Sequence, residues 1–263
     1  MKIAVILPAA GASSRYAAGG GLRPKIDEDL GGRSVLLRSV ELFSNRDEVA
    51  CIIVAGPADD YEEFIARHGD KLGLLGVKAC RGGKTHRWET VKNALALVPE
   101  DCTHVAVHDA ARPATPPELI DRIFAAAEKH PAVIPAFDVP DTIKKASAAV
   151  EKDKDVDPLD AILGGAGKIN QNLRTVEKTV SREGLVCVQT PQVFQRELLL
   201  KAYAQKDLTS TDDASLVEAL GEKVVLVEGD PRNVKITRPV DLAMVRLILQ
   251  MRPPAERAAH KRF

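Results

Sequence analysis

Ile3-Ala4-Val5-Ile6-Leu7-Pro8-Ala9-Ala10-Gly11-Ala12-Ser13-Ser14-Arg15 opens the chain, and the fold is decided there. Ile3 to Leu7 is a short, unbroken apolar run rich in β-branched residues. Such a run reads as a strand buried on both faces, as in a parallel sheet. Pro8 ends it, and a Gly- and Ala-rich loop follows. Working outward, further strands are expected at 49–55, 77–80, 104–108 and 133–137. Helices are expected between them at 59–68, 85–98 and 118–130, with one after Ser34, which can cap a turn carrying Val35, Leu36, Val40 and Phe43. Strands alternating with helices imply an α/β fold, a mostly parallel sheet covered on both faces in three Rossmann-like layers.

The alternation breaks between 141 and 189, which is polar, rich in Lys and Asp, and carries Gly164-Gly165-Ala166-Gly167. Residues 143–146 and 174–188 read as two strands of a long hairpin, with 147–172 as a loop. A structureless loop of that length does not sit inside a compact core. The expected division is therefore a core of 1–140 and 190–250, a projecting β-arm at 141–189, and a loose basic tail at 251–263. The core resumes with helices at 195–205 and 212–220, strands at 224–228 and 234–237, and a helix at 240–251.

Composition narrows the function. Lys plus Arg and Asp plus Glu each number 37 in 263 residues, so the net charge is zero and bulk nucleic-acid binding has no support. No stretch approaches the roughly 18 apolar residues that span a bilayer, and the N-terminal run is too short for a secretion signal. Cys51, Cys80 and Cys187 lie in apolar runs and read as buried small hydrophobes in a reducing compartment, which points to the cytoplasm. Cys102 lies in a polar turn and has no assigned role.

Five segments carry chemistry. The loop from Pro8 to Arg15 follows the first strand, where open parallel sheets bind ligands. Its small residues let backbone N–H groups approach phosphate oxygens, and Arg15 and Lys25 of Pro24-Lys25 add cations. It is neither a dinucleotide fingerprint nor a Walker A loop. For Gly11 alone a plain turn explains the residue; the whole set argues for phosphate. Val107-His108-Asp109-Ala110-Ala111-Arg112-Pro113 also ends a strand. Asp109 there suits a ribose hydroxyl or a triphosphate-bound Mg²⁺, and equally a turn carboxylate. Gly82-Gly83-Lys84-Thr85-His86-Arg87-Trp88-Glu89-Thr90 opens a helix; its glycines suit approach to a base edge, and equally a helix start capped by Thr85. Trp88 reads as packing. Asp141-Thr142, Lys144-Lys145 and Thr179-Val180-Ser181-Arg182 lie in the arm, where composition favours a solvated face. In Asn233-Val234-Lys235-Ile236-Thr237-Arg238-Pro239, a lysine between apolar neighbours is costly unless it faces a ligand.

Taken in order, PAAGASSR, PK, GG-K-T-H-R, VHDAARP, DT-x-K, TPQ-x-F, TDDAS and NVKITRP-x-DL resemble the 2-C-methyl-D-erythritol 4-phosphate cytidylyltransferase family, from Ile3 to about Leu249. The resemblance implies a nucleotidyltransferase fold and transfer of CMP from CTP to methylerythritol phosphate, releasing pyrophosphate, in nonmevalonate isoprenoid biosynthesis. It implies Mg²⁺ or another divalent cation on the triphosphate. Arg15 and Lys25 would stabilise charge at the α-phosphorus. Pro8, Ala9, Ala10, Gly11, Gly82, Thr90 and Ala110 would surround the nucleotide, with Asp109 at the ribose and metal. Thr142, Arg182, Thr190 and Lys235 would hold the acceptor, Arg182 and Lys235 aiming its phosphate. The arm would cross to a second subunit of a homodimer. The chain departs from the family in extra residues between Arg15 and Lys25, about two dozen more around 151–172, and one more between Gly83 and Thr90. Two other readings compete: a cytidylyltransferase for another polyol phosphate such as ribitol 5-phosphate, and a nucleotide-binding regulatory protein on the same fold.

Overall fold

The computed structural model describes residues 1–148 and 173–251. The insertion expected at 147–172 falls outside them from 149 onward, and so does the tail from 252. The chain divides into two compact units: Met1–Phe137 with everything from Val188 onward, and Asp138–Cys187.

In the first unit, β1 (Ile3–Pro8) is the centre of the sheet. It pairs in parallel with β2 (Val49–Gly56) on one side and β4 (His104–Val107) on the other. β3 (Lys78–Arg81) extends the sheet beyond β2. β5 (Ala132–Asp138) and β10 (Val225–Glu228) form a parallel pair on the far side. Between β4 and β5 lies β9 (Gln192–Gln195), antiparallel to both. Sequence reading finds no strand at β9, because its four residues, QVFQ, are too few to display a period. The path across the sheet is β10-β5-β9-β4-β1-β2-β3.

Successive β1 residues serve opposite faces. Ile3, Val5 and Leu7 pack beneath α2 (Val35–Ser44), α3 (Tyr61–Leu74) and α5 (Pro117–Ala127). Ala4 and Ile6 pack beneath α4 (Arg87–Leu95), α6 (Arg196–Tyr203) and α7 (Ala214–Glu218). This is the three-layer arrangement expected. Ser34 caps α2 as anticipated, its Oγ accepting from the Leu37 amide at 3.2 Å. Below it Leu36, Val40 and Phe43 are fully buried; each such side chain contributes about 1.5–3 kcal/mol.

Several expectations fail locally. Ser14–Ala18 is a short helix, α1, where the sequence suggests a loop. Helix α4 is capped at His86 rather than Thr85: Glu89 Oε2 accepts from both amides, at 3.1 and 2.9 Å. Residues 234–237 are not a strand. The segment crosses the loop after β4 instead of running along a sheet edge, with one bond from the Ile236 amide to the Ala111 carbonyl, 2.9 Å. It leads into α8 (Pro239–Ile248). The cysteines also differ: Cys187 is exposed, Cys51 and Cys80 are half-buried, and Cys102 is buried. The turn holding Cys102 packs against the α4 core, so its polar neighbours mislead.

In the second unit, β6 (Ile143–Ala146) pairs antiparallel with β7 (Val176–Val180). The single strand expected over 174–188 is broken by a turn closed from the Leu185 amide to the Arg182 carbonyl, 3.0 Å, with Gly184 at φ 72°; β8 is Val186–Val188.

Candidate active site

The strand ends of β1 and β4 and the crossing segment enclose a cavity of about 270 Å³ in the first unit. Pro8 to Ala12 form one wall, Gly83 to Arg87 with Thr90 another, and Asp109 to Ala111 the floor, with Lys25 and Lys235 entering from the side. Nine of the expected site residues meet here: Pro8, Ala9, Ala10, Gly11, Thr90, Asp109 and Ala110 from the nucleotide set, with the catalytic candidates Lys25 and Lys235.

Asp109 is the electrostatic centre. Only 8% exposed, it takes Lys235 Nζ at 2.9 Å and Arg112 Nε at 3.1 Å, with Arg87 Nε 3.9 Å away. Burial would raise its carboxyl pKa, but Lys235, Arg87 and Arg112 outweigh that and hold it well below the usual carboxylate range. Arg87 is in turn paired with Asp213 at 2.7 Å, a fully buried carboxylate that also accepts the Tyr203 phenol. Burial and Asp213 together push that phenol's pKa up.

Behind Asp109 a polar layer fixes the loop. Thr190 Oγ1 accepts the Asp109 amide at 3.0 Å and lies 3.2 Å from His108 Nδ1, while His108 Nε2 lies 3.1 Å from the Arg112 carbonyl. A carbonyl only accepts, so Nε2 carries the proton and Nδ1 takes the threonine hydroxyl. Burial keeps this imidazole neutral, lowering its pKa to about 4. Asn233 ties the layer together: its Nδ2 donates to the Thr190 carbonyl at 2.8 Å, its Oδ1 accepts Thr115 at 2.8 Å, and its carbonyl accepts Arg112 Nη1 at 2.6 Å. Thr190, expected at the acceptor, is 5% exposed and supports the Asp109 loop.

Lys25 belongs to a single 3-10 turn, Lys25–Asp27. Its Nζ donates to the Ile236 carbonyl at 2.9 Å. Burial lowers its pKa to about 8, and Lys235 and Arg15 add to the shift against the pull of Asp109. Arg15 itself, on α1, is exposed and outside the cavity lining. Gly82 is also outside the lining. A Cβ there would come within 2.6 Å of the Gly56 carbonyl oxygen and 2.8 Å of Ala10 Cβ, so its glycine is required for packing behind the wall. The Thr90 hydroxyl accepts the Gly83 amide at 3.0 Å, fixing that wall. Thr142 and Arg182 lie in the second unit, both exposed, with Arg182 Nη1 donating to the Pro140 carbonyl.

Sequence reading misses Arg87, Arg112, Asn233 and Asp213 as contributors. All four stand inside quoted motifs, but only burial reveals that their charges and amides serve Asp109. His86, stacked on Trp88 at 5.8 Å and 11°, lines the cavity beside them.

A small-residue loop at a parallel strand end, facing two lysines across a buried aspartate, defines a nucleotidyltransferase-type site. Comparison with known proteins makes it specific. The family model of 2-C-methyl-D-erythritol 4-phosphate cytidylyltransferase matches residues 3–164 and 159–251. A protein of that name from Frankia casuarinae is 39% identical over 98% of this chain and 85% of its own length. One from Rhodococcus jostii is 37% identical over 94% and 95%. The crystal structure of the Thermus thermophilus protein of that name superposes with TM-score 0.70 at 30% identity, covering 95% of this chain and all of that one. The chain belongs to the 2-C-methyl-D-erythritol 4-phosphate cytidylyltransferase family.

Proposed function

We propose that the chain transfers CMP from CTP to 2-C-methyl-D-erythritol 4-phosphate, giving 4-diphosphocytidyl-2-C-methyl-D-erythritol and pyrophosphate. The observation that carries this is the pair Lys25 and Lys235 at one cavity, beside Asp109, in a chain of this family. An acceptor phosphate oxygen attacks the α-phosphorus of CTP, one P–O bond forms, and the bond to the β-phosphate breaks. The nucleophile is already anionic near neutral pH, so no general base is required. Catalysis then rests on positioning and charge stabilisation.

The chain's own groups divide this work. The Pro8 to Ala12 loop and Lys25 receive the triphosphate, with Arg15 swinging in from the exposed face of α1. Gly83 and Thr90 shape the wall for the base. Lys235 leaves Asp109 for the acceptor phosphate. Thr142 and Arg182 complete the acceptor site from the arm of a second subunit in a homodimer. A divalent cation such as Mg²⁺ would neutralise triphosphate charge when bound. No cluster of three His, Cys, Asp or Glu suited to a metal exists among the described residues. Asp109 is the one carboxylate in the cavity lining, which fits Mg²⁺, a cation usually held by one or two carboxylates plus phosphates and water. No helix among the described residues is long and apolar enough to cross a membrane, and the four free cysteines suit the reducing cytoplasm.

The test is pyrophosphate release with each of the four nucleoside triphosphates, Mg²⁺, and either methylerythritol phosphate or ribitol 5-phosphate. Release is expected only with CTP and methylerythritol phosphate. Turnover confined to ribitol 5-phosphate overturns the acceptor assignment.

A further inference from the structure

The turn that carries Lys25 has a second face. Ile26, 9% exposed, plugs into the core between Lys25 and Asp27 and fixes the depth of the turn. An apolar plug does not fix rotation about itself, and rotation decides whether the Lys25 ammonium points at the Ile236 carbonyl or at solvent. On the N-terminal side the amides of Gly19, Gly20 and Gly21 are tied back to Tyr16 and Ala17 of α1, but the link onward to the turn is loose: Leu22 is 98% exposed, and the Lys25 amide meets Ser13 Oγ only at 3.4 Å.

On the C-terminal side the restraint is firm. Asp27 Oδ1 lies 2.7 Å from His68 Nε2, and Asp27 Oδ2 lies 3.4 Å from Arg67 Nη1. His68 is 7% exposed, and its ring packs on Phe64 at 4.9 Å. Phe64 is fully buried and sits so tightly against Gly56 that a Cβ there would come within 2.6 Å of its ring. The histidine thus stands on a rigid base at the end of β2. Asp27 and His68 line a separate cleft of about 390 Å³, not the substrate cavity, so neither touches substrate.

We infer that Asp27 and His68 form a clasp that sets the rotation of the Lys25–Asp27 turn, making both of them positioning residues for the Lys25 ammonium. The restraint is needed because Lys25 is held where it would not stay unaided. Its site is half-buried, Lys235 and Arg15 repel it, its hydrogen-bond partner is a neutral carbonyl, and the pull of Asp109 and Asp241 offsets this only in part. With the clasp open, the ammonium moves toward water and away from the α-phosphate position.

This inference rests on the proposed transfer reaction, and the experiment separates the two. Wild type, Asp27→Ala, Asp27→Asn and His68→Phe are compared in CTP- and acceptor-dependent pyrophosphate release from about pH 6 to about pH 10, since kcat/KM reports groups of the free enzyme. Lys25 titration is followed independently by NMR of the lysine side chains, assigned with Lys25→Arg. Asp27→Ala should lower kcat/KM by about tenfold to a hundredfold, as expected for a misplaced catalytic group. Its loss should fall mainly on kcat. The Lys25 titration, near 8 in wild type, should move up by about one unit or more as the ammonium gains solvent. Lys235, Asp109, Arg15 and Asp241 also face Lys25 and are unchanged in these variants, so a moved titration reports the clasp. Asp27→Asn keeps an acceptor for His68 and should lie between. A folded Asp27→Ala with an unmoved Lys25 titration overturns the clasp, even if its thermal stability drops. Should Asp27→Ala or His68→Phe fail to fold, Asp27→Asn decides by the same titration. If wild type releases no pyrophosphate, the proposed reaction falls while the NMR titration still judges the clasp.

Discussion

Asp109→Asn removes the one carboxylate shared by Lys235, Arg112 and Arg87 and leaves their shape almost intact. At 2.9 and 3.1 Å, each close pair is worth about 5 kcal/mol at an effective dielectric of about 20. Desolvation of the buried carboxylate cancels much of that gain. Removing one partner of a buried pair typically costs about 3–5 kcal/mol, because the remaining charges stay uncompensated. The asparagine oxygen can still accept from Arg112, so a loss of about 3 kcal/mol is expected. For a chain of this size that is a Tm lower by about 6–12 °C. The sign of the pH dependence follows from the depressed carboxyl. Its contribution is fully present above the unfolded value of about 3.9 and is lost as pH falls toward the folded one. The deficit should therefore be constant from about pH 5 to about pH 8 and shrink below about pH 4. Denaturant unfolding of both proteins across that range, followed by circular dichroism, measures it. A deficit below about 1 kcal/mol at neutral pH would refute Asp109 as the counterion of this cluster.

Other expectations follow from the same geometry. Lys25→Ala should lower kcat at least about a hundredfold in the pyrophosphate assay, the usual loss for one preorganised donor; a near-normal kcat would remove Lys25 from the chemistry. Gly82→Ala should cost about 1–3 kcal/mol in denaturant unfolding by overpacking and raise the KM for CTP, since its Cβ meets the Gly56 carbonyl and Ala10. His108, neutral and buried with its pKa lowered to about 4, should make wild-type stability fall by about 3 kcal/mol as pH drops from about 6.5 to about 4. His108→Asn should flatten that slope in the same unfolding measurement.

The parallel sheet is legible because strands such as Ile3 to Leu7 carry a short unbroken apolar run, rich in β-branched residues and stopped by Pro8. The loop after β1 is legible as a turn of small residues at a strand end, and Lys25, Asp109 and Lys235 do line one cavity with it. What is not legible depends on tertiary placement. Val234 to Thr237 looks like a strand by composition, but its bonds go to a loop. The part Thr190 plays in bracing the Asp109 amide and His108 is not visible in its sequence context. Asp27, His68 and Asp213 stand among polar neighbours in the chain, so their sequence context resembles solvated helix and turn positions. Only their contacts with residues far away in the chain, Asp27 with His68 and Asp213 with Arg87, set them apart.

The antiparallel wedge β9 has a consequence for how the protein comes into being. On the ribosome, β4 and β5 emerge before β9, which separates them in the finished sheet. The seam between them stays open until Gln192 to Gln195 arrive, after the whole hairpin unit has been made. Thr190 and Asn233, which brace Asp109, come later than β5 as well. Contacts of such long sequence separation slow folding and leave strand edges unpaired while they wait. A chain that ends before Gln192 lacks the strand that joins β4 to β5, which leaves the facing edges of both without their partner.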